Sequence, residues 1–192
     1  NILTEEIVNA LQEIIKNGRS YFENKLIADS RSNNGIEFEK SLFILFKEIF
    51  GMKTRHTGQC RGSMGQSFSD IMLIKTSDKE CGIIDAKATT DTYSISVKDK
   101  AVMITDYSKN YQEIVGSDCE LNFVGYICGK MNINSDYATP LRKITNETNK
   151  PAFIMDADNI LKISKIYDSN ENKLFNFFEL GGVLDLNRYH SL

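Results

Sequence analysis

Apolar residues recur at helical spacing over residues 4–17, where Ile7, Leu11, Ile14 and Ile15 form one stripe. Thr4 stands as the N-cap, Glu5 and Glu6 fill the first turn, and Asn17-Gly18 closes the pattern. A second short helix is expected over residues 21–32. The strongest helical pattern covers residues 35–50. Its apolar positions are Ile36, Phe38, Leu42, Phe43, Leu45, Phe46, Ile49 and Phe50. They form more than a single stripe, which predicts burial on most sides, with Gly51 as the stop. Residues 52–68 carry no helical period. The pattern then changes to two short apolar runs, residues 71–74 and 81–84, joined by Thr76-Ser77-Asp78-Lys79-Glu80. Such runs, bounded by turn residues, predict a β-hairpin. Further on, a helix is expected over residues 97–111, with Lys98, Asp99, Lys100 and Lys109 on its solvated side. A strand follows over residues 121–128, then a helix within residues 135–148 with Asp136 as its cap. The last elements are a strand over residues 152–155, an Asp156-capped helix burying Ile160, Leu161 and Ile163, and an amphipathic tail over residues 173–184. This order predicts an α/β fold with a central mixed β-sheet flanked by helices on both faces.

A chain of 192 residues is long enough for one well-cored domain. No linker, repeat or low-complexity tract divides it, so one domain over residues 1–192 is expected, with residues 1–34 as a helical extension. The first residue is Asn, which suits a piece of a larger enzyme. Neither a secretory leader nor a membrane-length apolar run is visible, so a cytoplasmic protein with no membrane partner is expected. Cys60, Cys81, Cys119 and Cys128 show no paired spacing and read as reduced thiols. The formal charge of −3 argues against a basic nucleic-acid coat. It leaves room for local basic residues around an acidic centre.

The hairpin carries the candidate chemistry. Asp70 opens its first strand, and Asp85-Ala86-Lys87 closes its second. In an antiparallel pair those ends lie side by side, so the two carboxylates approach each other. Residues 85 and 87 leave the same face of the strand. Two acids held together repel, and a divalent cation between them relieves the repulsion. Just upstream lies a glycine-rich, basic stretch with Lys53, Arg55, His56 and Arg61, able to contact phosphate. It reads equally as a solvated loop. His56 is also an alternative general base by residue type.

An aspartate followed about fifteen residues later by Asp-x-Lys at a strand end resembles the PD-(D/E)xK nuclease signature. Gly35-Ile36-Glu37-Phe38-Glu39 resembles the G-x-x-F-E opening of the first helix in many such nucleases. Residues 51–61, residues 82–88 and Tyr93 narrow the likeness to the FokI-like cleavage domain of type IIS restriction endonucleases. Tyr137, Leu141, residues 144–146, Ala152, Asp156 and residues 160–161 continue it. Two departures stand out: the segment between Arg61 and Asp70 is longer, with Ser69 in place of the usual Pro, and Ala101 and Thr105 replace a dimer-forming Asp/Arg pair.

The resemblance implies a Mg²⁺-dependent endonuclease acting on double-stranded DNA, with Mn²⁺ as a substitute ion. It makes Asp70, Asp85 and Lys87 catalytic. It assigns the metal to Asp70, Asp85 and the Ala86 carbonyl, with Glu39 as a further candidate ligand. Arg55, His56 and Arg61 become phosphate contacts. Double-strand cleavage implies a transient homodimer or a second nuclease chain, and sequence choice implies a separate DNA-recognition domain. Other readings are another PD-(D/E)xK nuclease (nicking, methyl-directed or repair) and a non-catalytic DNA-associated domain of the same fold.

Overall fold

The computed structural model describes the backbone of residues 2–192 and the side chains from Ile15 onward. It opens with one long helix, α1 (Ile2–Ser30). The sequence predicted two helices separated at Asn17-Gly18, and a start capped by Thr4. Instead the helix begins at Ile2 and runs straight through Gly18. A mid-helix glycine costs only about 1 kcal/mol, and packing outweighs it. Leu26 is fully buried, Phe22 and Ile27 pack on the core, and the Arg19 guanidinium donates to Ser164 Oγ at 2.7 Å. The side chains of Ile7, Leu11 and Ile14 lie outside the described residues. Ile15, expected in the same inward stripe, is 70% exposed.

Helix α2 (Gly35–Ile44) continues as a π-helical turn over Leu45–Ile49. The Asn34 side chain caps its start by accepting from Glu37 N–H. Gly51 ends it as expected: its φ is +65°, and the Met52 N–H reaches back to the Phe46 carbonyl at 2.9 Å. Strand β1 (Lys53–His56) follows, in a stretch read from sequence as irregular. It has no apolar alternation because it is an edge strand with polar and basic side chains. Strands β2 (Ile71–Ile74) and β3 (Glu80–Lys87) form the predicted hairpin, with Ile71 opposite Ile84 and Ile74 opposite Cys81. Asp78 takes the left-handed conformation in its turn.

The next segment is broken where one helix was expected. It comprises α3 (Val97–Val102), a π-helical turn over Met103–Tyr107, α4 (Ser108–Asn110) and α5 (Gln112–Val115). Strand β4 (Glu120–Cys128), α6 (Ala138–Thr148), β5 (Ala152–Asp156) and α7 (Ala157–Ile166) fall where the pattern put them. The Asp156 carboxylate caps α7 by accepting from Asn159 N–H at 2.9 Å. Helix α8 (Glu171–Glu179), strand β6 (Gly182–Val183) and helix α9 (Leu186–His190) complete the chain.

The strands form one sheet in the order β1-β2-β3-β4-β5-β6, antiparallel through β3 and parallel from β3 to β6. Each face carries its own core. One face buries Ile71, Leu73, Ile84, Phe123 and Phe153 under α1, α2, α7 and α8. The other buries Met72, Ile83, Val124 and Ile154 under the α3–α5 segment and α6. The mixed sheet with helices on both faces is the architecture the sequence predicted. Among the described residues, no helix is long and apolar enough to cross a membrane.

Candidate active site at the end of the hairpin

The hairpin register sets the site. Asp70 and Asp85 stand one step beyond the paired residues Ile71 and Ile84. The Ala86 N–H donates to Asp70 Oδ2 at 2.7 Å, which ties the first acid to the strand bearing the second. Lys87 leaves β3 on the face of Asp85, and its ammonium lies 2.8 Å from Asp85 Oδ2. Asp85 is 2% exposed. Burial, then the Asp85 and Glu39 carboxylates, push the Asp70 carboxyl well above its usual range, against the pull of the Ala86 N–H. Ionising Asp70 beside Asp85 and Glu39 is therefore costly, and a cation at this end of the sheet would offset that cost.

Glu39 arrives from α2. It is 7% exposed, rare for a carboxylate unless it is partnered. Its Oε2 lies 2.9 Å from His56 Nε2 and accepts from the Gln59 amide at 3.3 Å. The His56 ring also stacks on Phe43. Residues 57–58 press this group onto Asp70: the Thr57 N–H donates to the Asp70 carbonyl at 2.8 Å. A methyl on Gly58 would overlap Asp70 Oδ1 and stand 2.8 Å from Glu39 Oε2 and 3.1 Å from the Asp70 Cα. Gly58→Ala is therefore expected to cost about 1–3 kcal/mol of stability, as overpacking does. A thermal melt checks it, and an unchanged Tm would mean that the loop yields freely.

The structure thus brings together Glu39, His56, Asp70, Asp85 and Lys87. It does not bring Arg55 to them. Arg55 is exposed on β1 and lines a cleft with Lys53, Asp78, Ile114 and Val115. Arg61 is exposed, and its guanidinium folds back to donate to the Cys60 carbonyl at 2.7 Å.

Asp99, expected on the solvated side of its helix, instead turns toward Lys87. Its Oδ1 lies 2.8 Å from the Lys87 ammonium, and its Oδ2 accepts from the Tyr93 hydroxyl at 3.0 Å. Burial alone would lift the Asp99 carboxyl, but Lys87, with help from Ser96 and Tyr93, holds it below the usual carboxylate range. Burial likewise pulls Lys87 down, yet Asp85 and Asp99 together outweigh it and keep the lysine above its ordinary range. The two acids on either side therefore favour the charged form of Lys87. The signal that could have found Asp99 is Ser96-x-x-Asp99, a capping pattern that puts the acid at the start of α3. Tyr107 is a further neighbour, pushed up by burial and by Asp85 and Asp70.

Among the described residues, no group of three His, Cys, Asp or Glu side chains is arranged to hold a metal ion. Two carboxylates and a backbone carbonyl completed by water are nonetheless what Mg²⁺ takes, since it gives up its hydration reluctantly. The hard oxygen donors, with an Asp70 carboxylate whose charge lacks a partner cation, fit such an ion.

Fold and site together define an α/β domain with two aspartates and a lysine at one end of its mixed sheet. The family described as FokI, cleavage domain, matches residues 2–183, and the chain belongs to that family. Solved structures of restriction endonuclease FokI, and of restriction endonuclease FokI bound to DNA, match with TM-scores of 0.68 and 0.67 at 18% identity. The matches cover 83% and 85% of this chain. The chain spans about 30% of the length of those proteins. No curated protein sequence matches it.

Proposed function

We propose that this chain is the DNA-cutting domain of a type IIS restriction endonuclease, a cytoplasmic type II site-specific deoxyribonuclease. It hydrolyses phosphodiester bonds of double-stranded DNA with Mg²⁺, which Mn²⁺ can replace. The observation that carries this reading is the hairpin register, which sets Asp70 beside Asp85 with Lys87 on the same face. Family membership and the likeness to a FokI structure bound to DNA support it.

Asp70, Asp85 and the Ala86 carbonyl would hold the ion, with Glu39 at its rim. An ion there supplies Lewis acidity toward the scissile phosphate and a more acidic water. Asp70 and Asp85 set the position by register, and the Ala86 N–H fixes the Asp70 carboxylate. Lys87, as an ammonium, stabilises the negative charge that develops on the phosphate oxygens. Arg55, His56 and Arg61 remain proposed phosphate contacts, although His56 would first have to leave Glu39 or act through it.

One domain of this kind has one active site, so cutting both strands calls for a homodimer or a second nuclease chain. The resemblance puts that contact on α3 and the π-helical turn after it, where Ala101 and Thr105 are exposed. Sequence choice would come from a separate DNA-recognition domain. Supercoiled plasmid tests the reading. The purified chain with Mg²⁺ is expected to yield nicked and linear products, and EDTA to stop it. DNA binding without any cutting in Mg²⁺ or Mn²⁺ would favour the non-catalytic reading.

A further inference from the structure

Lys87 has two carboxylate partners at equal distance. Its ammonium lies 2.8 Å from Asp85 Oδ2 and 2.8 Å from Asp99 Oδ1. Asp99 is held more firmly than an ordinary acid in the first turn of a helix. Its Oδ2 accepts from the Ser96 hydroxyl at 2.7 Å and from the Tyr93 hydroxyl at 3.0 Å. Its N–H donates to Ser96 Oγ at 3.0 Å, and its carbonyl accepts from the Tyr126 hydroxyl at 3.0 Å. Tyr126 stands on β4, the parallel neighbour of β3, with Tyr126 opposite Asp85. Asp99 is thereby tied through Tyr126 to β4 and through Lys87 to β3, the strand that carries Asp85.

A lysine paired with Asp85 alone would be in conflict with a cation on that carboxylate. The two positive charges would compete for one acid, and the flexible ammonium would be driven toward water. A second carboxylate, held by the Ser96 and Tyr93 hydroxyls, removes the conflict. We infer that Asp99 is a positioning residue that takes over Lys87 when a divalent cation occupies Asp85, keeping the ammonium at the end of the sheet. The inference rests on the nuclease reading for its purpose, though not for its chemistry.

A double-mutant cycle on Ca²⁺ affinity, read by calorimetry without DNA, tests it. Asp99→Asn leaves Lys87 leaning wholly on Asp85, so Ca²⁺ must displace a tighter pair. Affinity is expected to fall about tenfold, within the range for residues that orient a metal-site group. Asp99→Glu should recover most of the loss. In a Lys87→Ala background the Asp99→Asn effect should vanish, because its route through Lys87 is gone. Parallel single-turnover assays should show a lower maximal rate for Asp99→Asn with an unchanged DNA KM. The inference is overturned by wild-type Ca²⁺ affinity in Asp99→Asn, by an equal loss in the Lys87→Ala background, or by a wild type that binds no Ca²⁺. A wild type that binds Ca²⁺ and obeys the cycle, yet cuts no DNA, supports the inference while overturning the nuclease reading.

Discussion

Asp85→Ala is expected to lower plasmid cleavage by at least about 10²–10³-fold, the effect of deleting one preorganised electrostatic group. The folded structure should survive the change. Asp85 lies in a cluster of like charge, so removing it relieves Asp70 and does not orphan a partner. Lys87 keeps Asp99 at 2.8 Å, so no buried ammonium is left unpaired. Lys87→Ala should cost a comparable factor by a different route, since it removes the positive charge and leaves any ion on Asp70 and Asp85. Circular dichroism and a thermal melt confirm the fold, and the plasmid assay reads activity. Cleavage at the wild-type rate by folded Asp85→Ala would refute the assignment of this site.

The second large effect lies in the core. Phe178→Ala is expected to destabilise the protein by about 3–5 kcal/mol, the range for deleting a buried aromatic ring. Phe178 stacks on Phe153 with ring centroids 4.8 Å apart and tilts against Phe123 at 5.0 Å. It thus joins α8 to β4 and β5 on one face of the sheet. At about 2–4 °C per kcal/mol for a chain of this size, the Tm should drop by roughly 6–20 °C. A shift of only a degree or two would mean that Phe153, Phe123 and Phe46 close over the vacancy.

Much of this architecture follows from local pattern. The apolar runs before and after residues 76–80 encode the hairpin and its register. The register in turn brings Asp70 to Asp85, because antiparallel pairing admits few alternatives once one face must be buried. The Asp156 cap and the Gly51 stop are likewise local, since each satisfies backbone groups within one turn.

Other features have no local signature. Nothing in Asn17-Gly18 says that α1 continues through it, because the continuing force is burial of Leu26 against distant helices. Strand β1 reads as a loop because an edge strand needs no apolar face. The segment over residues 97–115 keeps a helical period, yet the chain breaks it with a π-helical turn.

The sequence alone determined the class of fold, the hairpin, and the meeting of Asp70, Asp85 and Lys87 at one end of the sheet. Those depend on period and spacing, which are properties of the chain. Tertiary structure decided the rest of the site. It bound His56 to Glu39, pressed Gly58 between Glu39 and Asp70, left Arg55 out, and turned Asp99 from a solvated acid into the second partner of Lys87. These contacts join residues far apart in sequence, and their strength comes from burial, which no local pattern records.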